Sequence, residues 1–428
     1  MTIETTETTE TTEITEITEI ETENTCPSVF DARLPKFAYD HLSDFQAAHR
    51  VIGAARRQAP IAIGPHAPEV LSYELVHAVL RDPRFVSARG LGLDVQGITS
   101  GPLWDSVIAS LLSLDGDVHH RLRRLVSKAF APRGAERLRT LVVEVITELV
   151  DPLTRVGRCD VVSDIARGYP IPVICALLGA PRQDWPLFSA WAADIMKVFE
   201  WNVAQDAPVI LAALEQLDAY IEEMINRRRN SLTDDLISDL IRAEDHGDRL
   251  THEELVRLAG GLLSAGTDTT RNQLAAAVQV LADHPDQWAL LAAHPELAPA
   301  AVHELMRYCP IVFAVARKAA EDVELAGVTI PAGTLVLANT ASANRDPAVY
   351  HDPDHLDITR HDPPAMLTFG GGVHYCLGAH LARIELTEAL RIITQRMPNP
   401  RRTEPARWKA MSGIVGPISV PLEFDTAP

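Results

Sequence analysis

The run Phe369-Gly-Gly-Gly-Val-His-Tyr-Cys-Leu-Gly378 places one cysteine, Cys376, between glycines 372 and 378, with an apolar stretch opening at Leu377. The glycines permit a tight loop, and the apolar stretch predicts a helix, so the sulfur is expected close to a helix N-terminus. Free backbone N–H groups and the helix dipole favour negative charge there, a setting that suits a thiolate. A lone thiolate held in this way suits axial ligation of a metal, with haem iron the leading candidate. An isolated cysteine is ordinarily a small buried hydrophobe. The glycines, His374 and Arg383 around this one favour the ligand reading.

Three further groupings carry chemistry. In Leu262-Leu-Ser-Ala-Gly-Thr-Asp-Thr-Thr270, Gly266 costs a helix roughly 1 kcal/mol relative to Ala, a cost that makes sense if something approaches the backbone closely. Asp268 and Thr269 set an acid and a hydroxyl beside that gap, a pair able to relay protons to a bound oxygen ligand. The bland alternative is a threonine bonded back to the preceding turn. In the second grouping, His119 and Arg123 share one face of a helix stopped by Pro132 and suit a buried carboxylate. Arg121, Arg124 and Lys128 form a separate basic stripe on that helix. In the third, Glu304 and Arg307 are spaced to pair across one turn, and Arg317 follows as a second candidate carboxylate clamp.

Helical patterns dominate to about Tyr308. A capping box at Thr251 and Glu254 opens the longest, which runs to His284-Pro285. Beyond it, 323–330 reads as a hairpin and 334–339 as a strand, before an irregular stretch rich in Asp, Pro and His. Residues 1–25 are a Thr/Glu repeat with almost nothing to bury, expected to remain a disordered tail. From residue 26 to 428 one mainly α domain with a small β-rich part is expected. The formal net charge is −19; eight acidic residues lie in the tail, so the rest still carries −11. An acidic body argues against nucleic acid or an anionic membrane as main partner. No uncharged run of eighteen apolar residues occurs, so no membrane span is expected. Five scattered cysteines without a C-x-x-C suit a reducing cytoplasm and give no sign of zinc or a disulfide framework.

These motifs, in this order and spacing over about residues 30–428, resemble the soluble bacterial cytochrome P-450 family of haem-thiolate monooxygenases. The resemblance implies that Cys376 is the proximal iron ligand of haem b, with Phe369 near its sulfur and Gly378 closing the loop. It matches His119, Arg123, Arg317 and His374 to the positions that hold the haem propionates. Ala265, Gly266, Asp268 and Thr269 match the oxygen-binding kink of the long distal helix, and Glu304 with Arg307 the structural pair behind the cysteine loop. At the position where the family commonly completes that pair with an arginine, this chain has His355.

The activity implied is insertion of one oxygen atom of O2 into a C–H bond of a small lipophilic substrate by a cytoplasmic monomer. No flavin or iron–sulfur motif is visible, so electrons are expected from a separate ferredoxin and ferredoxin reductase, docking near Arg121, Arg124, Lys128 and Arg383. The pocket is expected to be lined by 86–112, Leu262, Leu263, Ile311, Val312, Phe313 and 411–415. Phe188, Trp191, Met196, Phe199 and Trp201 are expected in a lid. Rival readings keep the haem and thiolate but change the reaction to peroxide-driven oxidation or oxidative coupling, or make the protein a non-catalytic haem sensor.

Overall fold

The computed structural model describes residues 26–245 and 250–426; the Thr/Glu-rich repeat at the N-terminus lies outside them. Helices supply most of the framework. Those that build the site are α1 (Phe45–Gln58), α2 (Gly116–Phe130), α3 (Trp185–Ile195), α4 (Val203–Arg229), α5 (His252–Ala282), α6 (Ala298–Tyr308) and α7 (Ala379–Arg396). The expected mainly α architecture with a small β part is what forms. One stretch, Val161–Leu178, is long and apolar enough to cross a membrane, but 67% of it is buried against the rest of the fold.

The helix α5 starts where the sequence predicts. Glu254 N–H donates to Thr251 Oγ1 at 3.2 Å, and Thr251 N–H donates to the Glu254 carboxylate at 2.9 Å. Together these satisfy two donors that the first turn leaves without helical partners. The 31-residue helix then runs through the core and is buried over most of its length, carrying polar residues such as Asp268, Asn272 and Gln273 inside as well as apolar ones.

The five-stranded sheet is assembled from distant segments: β1 (Ile61–Ile63), β2 (Pro68–Val70), β3 (Phe85–Ser87), β4 (Val315–Ala319) and β7 (Leu335–Ala338). Its order is β1-β2-β7-β4-β3, with β2 and β7 parallel and the other pairs antiparallel. The register sets Ser87 opposite Arg317, so that residue's backbone position is fixed by the ladder. Between β4 and β7 the expected hairpin forms from β5 (Val323–Leu325) and β6 (Val328–Ile330).

Glu69 on β2 is fully buried and accepts hydrogen bonds from Tyr39 Oη (3.2 Å) and Asn339 Nδ2 (2.7 Å). Burial pushes its carboxyl up to about 7, outweighing those two hydrogen bonds. The folded protein therefore retains a proton that the unfolded chain releases above about pH 4.5. Stability is full below that value and drains as pH rises towards 7, by on the order of 3 kcal/mol. Glu69→Gln, neutral throughout, is expected to flatten this slope in urea midpoints compared at about pH 5 and about pH 8.

Candidate active site

The cysteine loop is closed by its own backbone. Gly370 N–H donates to Leu367 O, Tyr375 N–H to Gly372 O, and Cys376 N–H to Phe369 O at 2.9 Å. Gly372 has φ +64°, and a Cβ there would lie 2.5 Å from Leu80 O, so no other residue fits that turn. The loop is also tied to its surroundings. Arg123 donates to Tyr375 O, while Arg383 lies 4.6 Å from the Phe369 ring centroid and donates to Tyr375 Oη at 3.1 Å. Upstream, Asn344 receives Leu367 N–H and donates to Thr368 Oγ1, each at 2.8 Å, which anchors the loop's entrance.

Cys376 is exposed, two residues ahead of Gly378, the N-cap residue of α7. Its surroundings alone do not make a thiolate. The protein around the thiol desolvates it and raises its pKa above the ordinary value, although the Gly378 N–H, Arg123 and Arg383 pull the other way. The helix terminus lowers the cost of a thiolate, and a bound metal would displace the thiol proton.

On α5, Gly261 and Ala265 are exposed and Thr269 is half-buried, in the middle of an otherwise buried helix. Spaced by four, they share one face, so that face borders open space. A Cβ on Gly261 would meet nothing within 4 Å, whereas one on Gly266 would lie 3.0 Å from Ile174. Gly266 thus makes room for a neighbouring helix, and the clearance falls at Gly261 and Ala265. Thr269 Oγ1 donates to Ala265 O at 2.9 Å, the back-bond the sequence left open. Its acceptor lone pairs stay free. Asp268 lies round the helix from that face, 1% exposed, paired with Arg271 and accepting from Asn272 Nδ2 at 2.8 Å. The expected adjacency of Asp268 and Thr269 at the open face is corrected accordingly: only the hydroxyl is there.

The four groups matched to carboxylate binding come together, with different partners. His119 is 1% exposed, and neither ring nitrogen has a hydrogen-bond partner. Burial, reinforced by His374 and Arg123, lowers its pKa to about 4. Arg317 is 4% exposed, donates to Ala316 O at 2.9 Å, and pairs with no carboxylate among the described residues. His374, its ring 4.3 Å from that of His119, bonds Asp115 at 2.7 Å. Asp115, a residue sequence reasoning missed, also receives Ser87 N–H at 2.7 Å. Burial would raise the Asp115 carboxyl, but His374 and that N–H outweigh it and hold it low. A buried histidine without hydrogen-bond partners, and a buried arginine that feels Asp115 only at a distance, are what an absent dianionic group would leave behind. The donor set of Cys376, His119, Arg123 and Arg317 therefore fits a haem with two propionates.

A family model described as Cytochrome P450 matches residues 187–293 and 291–397. The mycinamicin IV hydroxylase/epoxidase of Micromonospora griseorubida is 43% identical over 365 residues, covering 84% of this chain and 90% of that protein. The chain belongs to the cytochrome P450 family. The luteothin monooxygenase of Streptomyces thioluteus is 38% identical, over 88% of this chain and 93% of its own length. Among solved structures, P450BioI in complex with an acyl carrier protein bearing hexadec-9Z-enoic acid superposes with a TM-score of 0.83 at 31% identity, over 89% of this chain and 99% of that one. The protein is a cytochrome P450 monooxygenase, and haem b is the cofactor of its family.

Several details of this P450 correct the sequence reading. Glu304 and Arg307 do pair, at 2.7 and 2.8 Å, but the third member is Arg360, 3.2 Å from Glu304. His355 contributes only its carbonyl, which accepts from both arginines at 3.2 Å. Arg121 of the expected docking stripe is paired with Glu254 at 2.5 Å. Phe313 is 3% exposed and packs against Tyr39 and His49, and Leu263, Met411 and Val415 are likewise core rather than pocket; Phe188, expected in the lid, is wholly buried. The segment 196–202 packs over 86–112: Val198 and Phe199 sit against Leu93, Leu103 and Val107. Trp201 stacks on His66 with ring centroids 3.8 Å apart and 8° between planes.

Proposed function

We propose that this P450 hydroxylates a bulky lipophilic secondary metabolite at a C–H bond, as a cytoplasmic monomer supplied with electrons by a ferredoxin and its reductase. The haem domain runs from residue 26 to 428, with 1–25 as a separate tail. The observation that carries the site assignment is the exposed Cys376 accompanied by His119, whose ring has no hydrogen-bond partner, and Arg317, which has no ion pair among the described residues. The naming of a relative as a hydroxylase/epoxidase of mycinamicin supports the reaction and the substrate class.

Haem bound here supplies the iron chemistry that activates dioxygen. Cys376 would supply the sulfur that binds the iron, with the Gly378 N–H donating to it and Phe369 in the same loop shielding it. Arg123, Arg317 and His119 fix the propionates, with His374 steadied by Asp115; a neighbouring anion raises the proton affinity of His119. Gly261 and Ala265 leave α5 thin at the open face, while Gly266 lets the neighbouring helix pack close behind it. Thr269 presents its oxygen there to hold a water and pass a proton. Asp268, once swung out of its pair with Arg271, would take a proton from water and pass it on to Thr269. The lid segment with Trp201 keeps bulk water out during turnover.

Thr269→Ala tests the proton step. Haem content and substrate-induced spectral shift are expected to be unchanged, while most electrons consumed appear as hydrogen peroxide instead of hydroxylated product. Unchanged coupling of electrons to product would remove Thr269 from the reaction and favour the peroxide-driven alternative.

A further inference from the structure

Away from the cysteine loop, a cavity of about 330 Å³ lies between α1 and the segment 342–354. Four arginines line it, Arg50, Arg56, Arg57 and Arg345, with one carboxylate, Asp354. In a chain of net charge −19 that is a local reversal of sign. Positive side chains in the last turn of α1 would suit the helix dipole wherever they pointed. These converge instead: a Cβ placed on Gly53 would lie 3.6 Å from Arg57 Nη1 and 4.0 Å from Arg56 Nη2.

Three carboxylates meet this charge, two of them only at long range, and Arg57 is left over. Arg56, largely buried, spends its donors on Ser342 O (2.6 Å), Ser342 Oγ (3.2 Å) and Arg345 O (2.8 Å), with Asp346 no nearer than 4.0 Å. Arg345 is 4% exposed and bonds Tyr308 O, Gln46 and the exposed Asp354. Arg50 reaches Asp44 only at 3.8 Å, with both groups in solvent. Arg57 pairs with no carboxylate among the described residues. His49, also in the lining, is 6% exposed, and its Nε2 lacks a hydrogen-bond partner.

We infer that this cavity is a binding site for a phosphorylated small molecule, its phosphate or diphosphate held by Arg50 and Arg57, with the positive charge of the engaged Arg56 behind them. Several converging guanidiniums match the multiple oxygens of a doubly charged oxyanion better than a single carboxylate. The volume exceeds a bare phosphate and stands at the low end for ligand pockets. An occupant ties α1 to the segment that carries Arg345 and leads to Arg360, so binding stabilises the folded enzyme by mass action.

The test titrates haem-loaded enzyme with inorganic diphosphate, following heat of binding and thermal midpoint, against sodium chloride and acetate at matched ionic strength. Saturable binding with a rise in midpoint is expected for diphosphate alone. Arg50→Gln with Arg57→Gln, both solvent-facing, is expected to weaken it at least tenfold, while Arg401→Gln, a distant surface change, has no effect. Absence of saturation, an equal response to chloride or acetate, or unchanged affinity in the double variant would overturn the assignment.

Discussion

Replacing Glu304 by Gln is expected to cost about 3–5 kcal/mol of folding stability, the range for breaking a buried ion pair from one side. Glu304 is 2% exposed and Arg307 is wholly buried. The carboxylate receives two hydrogen bonds from Arg307, further ones from Arg360 and the Asp357 N–H at 3.1 Å. Arg307 also donates to the carbonyls of Asn344 and Pro353. Losing the negative charge therefore strands a buried guanidinium and loosens the chain that leads to Thr368 and the cysteine loop. Denaturant unfolding of the holoprotein, with haem absorbance as a second probe, measures both effects. His355→Ala is the matched control. Only its backbone carbonyl takes part, so a change within about 0.5 kcal/mol is expected. Equal losses in the two variants would show that the histidine ring, and not Arg360, completes the network.

Arg317→Met is expected to act in opposite directions on the two forms of the protein. Without haem, Arg317 is a buried charge with no carboxylate partner, so an apolar replacement of similar length raises apoprotein stability by ~1 kcal/mol or more. With haem, the same change removes a charge-assisted contact to a propionate worth ~1.5–3 kcal/mol. That predicts haem loss faster by roughly 10- to 100-fold. Haem transfer to an excess of acceptor apoprotein gives the rate, and urea unfolding of apoprotein gives the stability. A variant that destabilises the apoprotein and leaves the transfer rate alone would make Arg317 a structural residue only.

Local signals in the sequence were read well. The capping box at Thr251, the hairpin after Arg317, and the loop glycines around Cys376 each depend on neighbours within a few residues, which periodicity and turn chemistry report directly. Partner choice over long separations was not legible. Arg360 reaches Glu304 across 56 positions from an irregular segment with no periodicity, and His355 merely stood nearest the expected place. Asp115 and Arg271 escaped for a related reason: each neutralises a residue already singled out, and nothing local marks a carboxylate or guanidinium as engaged. Apolar residues such as Phe313 read equally as core or pocket, and only the chain's path separates them. The thiol of Cys376 shows a further limit, because desolvation by the surrounding protein opposes the Gly378 N–H and the two arginines, and that balance depends on the whole surroundings.

Sulfur ligation of iron by Cys376 is the claim on which the rest depends, and the absorption spectrum of the reduced, carbon monoxide-bound holoenzyme tests it most directly. The wild type is expected to show the long-wavelength band of a thiolate-ligated haem, and Cys376→Ser to lack it while the protein remains folded. A wild-type spectrum of the histidine-ligated kind, or a thiolate band that survives in Cys376→Ser, would contradict the account.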